Sequence, residues 1–288
     1  MISFHLVYIG DSYPYAKQVI YTFHMPVFLA ISGYLMNIHK PPRQFLLTIY
    51  WLVVPYVVME SGYTIACSML PIREHIDNLT IEVFLDKLFL HPLGPYWFLH
   101  TLIMCGLTYY GVFLFCKKGL LSCYILIGFA YTLYARVGLL SLPLSFYFLV
   151  GVIIRNSHLT FLQVFQPSLL SFIAAGFLFA NPANLHSGTI GGLFIVYFVI
   201  SGSLSVYPYF SKWILHFILY LGKNTLPLFL FSPIFTILCK SLVPVLSFEP
   251  TGMLFLFCAL FICISGSLCI CKVMEFCKIS SYFWGPKR

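Results

Sequence analysis

Few side chains in this sequence are equipped for chemistry, and they are widely spaced. His5 stands in an apolar opening, "FHLVYIG", with no Asp, Glu, Lys or Arg before Asp11. His24 follows in "YTFHMPVFLAISGYLM", two residues ahead of Pro26. A neutral imidazole is the side chain best matched to proton transfer near pH 7, so each ring is a candidate base. Each also has a structural alternative. His5 could donate to a carbonyl of a neighbouring helix, and His24 could serve a carbonyl left unpartnered by Pro26. Glu60 is a carboxylate inside a long apolar run, either a functional group or a hydrogen-bond anchor to a neighbouring helix. Arg43, with Lys40 close by, offers a planar fork of donors suited to phosphate oxygens. Trp97 and Tyr96 could stack on a sugar ring or sit in an interfacial aromatic belt.

These residues need rigid elements to hold them, and the composition says what kind. The 288 residues are 60% hydrophobic, 19% aromatic and only 8% charged, with a mean hydropathy of +0.94. Soluble domains carry about 25% charged residues, so this chain lacks the polar surface that water demands. The bilayer is the solvent that fits, and a spanning helix needs roughly 20 apolar residues. The apolar runs predict an all-α polytopic bundle of about ten spans, the first incomplete, in a single domain over residues 1–288. After a fragment at Met1–Ile9, spans are predicted at Val19–Ile38, Phe45–Leu70, Pro95–Cys116, Leu120–Ala135, Leu139–Ile154, Phe161–Ala180, Thr189–Tyr207, Leu226–Leu246 and Gly252–Lys272. The runs are apolar all round and lack the alternation of barrel strands. Nine residues at about 1.5 Å each do not cross a ~30 Å core. The opening fragment is therefore read as a helix whose beginning is missing, and it lacks the basic leader of a signal peptide.

Lys and Arg orient the bundle. Lys40, Arg43, Lys117, Lys118, Arg155, Lys212, Lys223 and the tail residues Lys272, Lys278, Lys287 and Arg288 fall on one side; Lys17, Arg73, Lys87, Arg136 and Lys240 fall on the other. The richer side is cytoplasmic by the positive-inside rule. The net charge of +8 thus encodes topology, and no nucleic-acid partner is expected. Pro41-Pro42 marks a turn. Asn224 or Thr225 is expected to cap a helix start, with Pro227 in its first turn and Pro233 kinking it. Trp213–Leu221 reads as a short interfacial helix, and Pro71–Gly94 as the one long loop. The cysteines at 269, 271 and 277 lack paired metal-ligand spacing, so no metal site is expected.

Three motifs in order resemble the acyltransferase 3 family of bacterial integral-membrane O-acyltransferases: "FHMPVFLAISGYLM" (His24, Pro26, Ser32, Gly33), "GPYWFL" (Gly94, Pro95, Trp97, Phe98) and "LGKNTL" (Gly222, Lys223, Asn224, Thr225). The resemblance implies a ten-helix protein of the bacterial inner membrane that moves an acyl group, usually acetyl from acetyl-CoA, onto sugar hydroxyls of surface polysaccharides or lipid-linked glycans. It implies a catalytic histidine at His5. Within such a site, the residue chemistry above makes His24, Glu60 and Trp97 candidates for site architecture or substrate binding, and Arg43 and Lys40 candidates for the CoA phosphates. Lys117, Lys118 and Lys223 have weaker claims on the phosphates. Acetyl-CoA would be a co-substrate, with no bound cofactor. The family's arginine eleven residues before the histidine has no counterpart here, and Ser232 stands near where the late motif often has Tyr and His. Both departures leave room for an inactive relative, and a lipid-linked glycan carrier or transporter is the non-enzymatic alternative.

Overall fold

The computed structural model describes residues 2–70, 74–116 and 119–285. Lys117, Lys118, Arg73, Lys287 and Arg288, named above in the charge pattern, lie outside the described residues. Every regular element among the described residues is helical, with no strand among them. Its contacts group it into two compact units. One comprises Met1–Ile20, Met69–His75 and Tyr209–Arg288; the other comprises Tyr21–Ser68 and Ile76–Pro208.

The first unit opens with α1 (Ile2–His5) and α2 (Val7–Ser12), and takes the start of α3 (Pro14–Leu35). It closes with α12 (Lys212–Lys223), α13 (Thr225–Leu238), α14 (Val243–Leu246), α15 (Met253–Phe276) and α16 (Ser280–Phe283). Helices α13 and α15 pack along each other, and α1 docks on both. Leu6, Ile9, Cys239, Phe255, Ala259 and Cys263 form its core. Between helices in lipid, such close side-chain packing is a main source of association. The opening fragment is therefore anchored although it is too short to span.

The second unit holds the rest of α3, then α4 (Pro42–Met69), α5 (Ile81–Phe89), α6 (Trp97–Phe115), α7 (Leu120–Arg136) and α8 (Leu142–Asn156). Helices α9 (Phe161–Val164), α10 (Leu170–Phe179) and α11 (Ile190–Val206) complete it. Its core gathers Leu29, Cys105, Tyr109, Ile127, Tyr131, Phe148, Val152 and Val196. Helices α3 and α8 meet through two glycines. A Cβ on Gly33 would lie 2.1 Å from the Phe148 carbonyl oxygen, and one on Gly151 would lie 2.0 Å from that of Ala30. Small residues at such seams let helix backbones approach in lipid, where packing is a main source of association. The Gly33 of "AISGYLM" is thus one half of a helix–helix contact.

Among the described residues, five helical segments are long and apolar enough to cross a membrane: Pro42–Met69, Gly94–Phe115, Ile190–Tyr209, Thr225–Leu246 and Met253–Phe276. The expected count of about ten is not reached on these grounds. Leu120–Arg136, Leu142–Asn156 and Leu170–Phe179 are apolar but shorter, and α3 has the length but carries Lys17, Gln18 and His24 among its apolar residues. The predicted span Phe161–Ala180 is two helices. Pro167 lies in the break, where a missing N–H ends helical pairing. The Ser201 hydroxyl of α11 donates to the freed Gln166 carbonyl, and a 2.8 Å hydrogen bond joins Ser201 to Ser171. The stretch Pro71–Gly94 is not all loop, since α5 forms within it behind a Thr80 cap that accepts from the Val83 N–H.

Candidate functional site

His5 ends α1, and the helix breaks at Leu6, whose extended conformation (φ −72°, ψ 106°) interrupts the turn before α2 begins. Leu6 and Ile9, 2% and 1% exposed, fasten the break into the first unit's core. Gly252 has φ +69°, which favours glycine, and a Cβ there would lie 3.0 Å from the Tyr8 ring and 3.3 Å from Ile9. The Tyr8 ring meets Phe255 edge-on, centroids 5.4 Å apart, and the Tyr13 hydroxyl donates to the Thr251 carbonyl at 2.7 Å. Half-buried His5 thus sits on a short segment held on both sides of its kink. Lys17 approaches the same segment: a Cβ on Gly10 would meet both its Nζ and the Phe4 carbonyl oxygen at 3.2 Å.

In the second unit, Glu60 is fully buried on α4. Its Oε1 accepts from the Leu93 backbone N–H at 2.7 Å and from the Thr64 hydroxyl at 3.5 Å. One turn before it, the Tyr56 hydroxyl donates to the Leu88 carbonyl at 2.7 Å. One turn after it, the Tyr63 ring packs edge-on to Tyr96, centroids 5.8 Å apart. Tyr63 also fills the space beside Gly94, where φ is +55° and a Cβ would lie 2.6 Å from the ring. Tyr56, Glu60 and Tyr63 share one helical face. Together they clamp residues 88–96, the approach to "GPYWFL", onto α4. His100 of α6 adds a fourth tie, its Nε2–H donating to the Phe89 carbonyl at 3.0 Å. Glu60 is thus hydrogen-bonded to the backbone just ahead of Gly94. The other members of the clamp were missed in the sequence, although the four- and three-residue spacing on α4 and the His in "YWFLH" were visible signals.

Beyond the clamp, His91 Nδ1–H donates to Asp86 Oδ1 at 2.8 Å, and Lys87 Nζ lies 3.3 Å from Asp86 Oδ2. The His91 hydrogen bond, helped by Lys87 and opposed by partial burial, holds the Asp86 carboxyl below its usual range.

His24 is half-buried on α3, its ring tilted at 5.1 Å from that of Tyr21. Trp97 starts α6 and lies edge-on to Phe98 at 6.3 Å. The Lys40 ammonium donates to the Thr48 hydroxyl at 3.2 Å, and its carbonyl accepts from Tyr110 at 3.0 Å. Tyr110 stacks on Phe45, centroids 3.9 Å apart, so the turn carrying Lys40 is fixed against α4 and α6. Arg43 is exposed in the first turn of α4. His5 belongs to the first unit and the other five candidates to the second. Glu60 and the approach to Trp97 are the pair that packing visibly joins. Arg155, named above only in the charge pattern, lies over the Tyr34 ring at 5.7 Å.

In the late motif, Asn224 closes the helix before it: its Nδ2–H donates to the Tyr220 carbonyl at 2.8 Å. It makes no side-chain cap on α13, contrary to the expected helix-start role. The Thr225 hydroxyl likewise turns back, donating to the Gly222 carbonyl at 2.7 Å. Pro227 is buried in the first turn of α13, and the helix continues through Pro233. Trp213–Leu221, expected as a short helix, lies within α12, none of whose residues is buried.

A family model described as an acyltransferase domain matches residues 1–272, spanning both units. Among curated proteins and among solved structures, none matches the chain.

Proposed function

The chain belongs to the acyltransferase 3 family, and on that premise we propose that it is a membrane-bound O-acyltransferase of the bacterial cytoplasmic membrane. The proposed reaction moves acetyl from acetyl-CoA to a hydroxyl of a cell-surface or lipid-linked sugar. The observation that carries this reading is the match over residues 1–272 in a chain with five helical segments of spanning length.

The reaction needs three things from the protein. A base must accept the hydroxyl proton as the sugar oxygen attacks the thioester carbonyl. His5 is the proposed base, supported by its place on a segment that Leu6, Ile9 and Tyr8 immobilise. The proton then passes to the departing CoA sulfur as the tetrahedral intermediate collapses, leaving the sugar ester and the free thiol. Cations must hold the CoA phosphates, and Arg43 and Lys40 are proposed for this, Lys40 from a turn already pinned by Tyr110. A framework must support the site, and His24, Glu60 and Trp97 are proposed as site-architecture or substrate-binding residues.

Mass spectrometry of envelope glycans from cells with and without this gene tests the reading. An acetyl increment on sugar residues that vanishes with the gene is the expected result, and identical glycan masses would refute it.

A further inference from the structure

Within the first unit, a cavity of about 490 Å3 opens beside α2, lined by Val7, Tyr8, Asp11, Ser12, Lys240 and Val243. We propose that this cavity binds the neutral polyol portion of a glycan, and so is the acceptor-sugar subsite; the inference rests on the acyl-transfer reading above.

Its size falls in the range of small-molecule sites, roughly 300–1,000 Å3. Its chemistry is mixed in the way a sugar requires. The Asp11 carboxylate accepts hydrogen bonds, the Lys240 ammonium donates them, and the Ser12 hydroxyl can do both. Asp11 and Lys240 are both exposed, and no ion pair joins them among the described residues. Two opposite charges that line one cavity without neutralising each other leave both free for a ligand rich in donors and acceptors. Their sum is zero, and Asp11 opposes a phosphate or carboxylate, so a neutral polyol fits better than an anion.

The apolar wall suits the same class. Tyr8 is held edge-on by Phe255 at 5.4 Å, and the left-handed Gly252 lets the backbone close against the ring. Such a fixed aromatic group presents an apolar surface for the C–H side of a sugar at little entropic cost. Lys240 lies in the short 3-10 turn Cys239–Leu242 that follows α13, and Val243 begins α14. The cavity therefore joins the opening segment to the far end of a spanning helix. Both charged residues fall on the side that the Lys and Arg distribution assigns to the exterior, where envelope glycans are. Tyr8 lies three residues after His5 in the chain, which links this subsite to the segment bearing the proposed base.

The test uses the full chain in detergent micelles and, as probe, envelope glycan stripped of its ester groups by mild alkali. Saturation-transfer NMR reads contact of the sugar ring protons with the protein, independently of any acetyl transfer. The wild type is expected to saturate the ring protons. Asp11→Asn and Lys240→Gln, both at exposed positions, are each expected to weaken binding about tenfold, as loss of one charge-assisted hydrogen bond implies. No saturation with the wild type, or unchanged affinity in both variants, overturns the proposal. Binding that behaves as expected in a protein that leaves glycan masses unaltered would instead refute the acyl-transfer reading while the sugar site stands.

Discussion

Replacing Gly151 by alanine probes the closest helix contact in the second unit. The added methyl would lie 2.0 Å from the Ala30 carbonyl oxygen, 2.7 Å from the Tyr34 nitrogen and 2.9 Å from the Ala30 carbonyl carbon. Ordinary contact begins at 3.4 Å, so α3 and α8 must separate locally by about 1.4 Å. All three clashing atoms are backbone, so rotating a side chain gives no relief. Overpacking of this kind costs about 1–3 kcal/mol, and Leu29, Phe148 and Val152 lose contacts along the same core. For a protein of this size that corresponds to a fall of roughly 3–9 °C in thermal midpoint. The assay is thermal unfolding of the purified chain in detergent, with Gly111→Ala as control. Gly111 lies inside α6 with nothing within 4 Å of an added Cβ, so there alanine should be neutral or stabilise by about 0.5–1 kcal/mol. Equal midpoints for Gly151→Ala and the wild type would refute the close seam.

Glu60→Leu removes the acceptor of the Leu93 N–H and is expected to cost about 1–3 kcal/mol, whereas Glu60→Gln keeps an acceptor oxygen and should cost less; thermal midpoints compare the two. Asp86 titrates below its usual range in the folded chain, chiefly through its His91 hydrogen bond. The resulting stabilisation is present above the unfolded-state pKa and is lost as pH falls through the folded one. His91→Ala should therefore flatten the dependence of thermal midpoint on pH between about pH 5 and pH 2. Lys278 follows α15 in the left-handed region at φ 60°, with the Ile279 N–H donating to the Met274 carbonyl at 2.9 Å in a helix-closing turn. Lys278→Gly should raise stability by about 1 kcal/mol, read from the same melts.

The long helices were legible because hydropathy reports run length directly: Phe45–Leu70, Pro95–Cys116 and Gly252–Lys272 overlap α4, α6 and α15 closely. The same measure is insensitive to backbone hydrogen bonding, so it merged α9 and α10 across Pro167. It also missed α5, whose Thr80 cap was readable but lay in a polar stretch. Glu60 stood out as an intramembrane carboxylate, yet its partner is a backbone N–H 33 residues away, which no local pattern identifies. Asn224 had a cap-forming side chain, but a residue between two helices can serve either, and the direction depends on backbone geometry (φ −103°, ψ 21°). The cavity shared by Asp11 and Lys240 depends on how the first helices dock against the end of α13, a tertiary fact beyond the reach of sequence spacing.

The central claim is that His5 acts as the base in acetyl transfer. The direct measurement supplies the purified full chain in lipid nanodiscs with acetyl-CoA labelled in its acetyl group and counts label recovered on de-esterified envelope glycan. The account predicts steady incorporation by the wild type and a fall of about 100-fold or more in His5→Gln, at unchanged thermal midpoint. Incorporation by His5→Gln at the wild-type rate would contradict it.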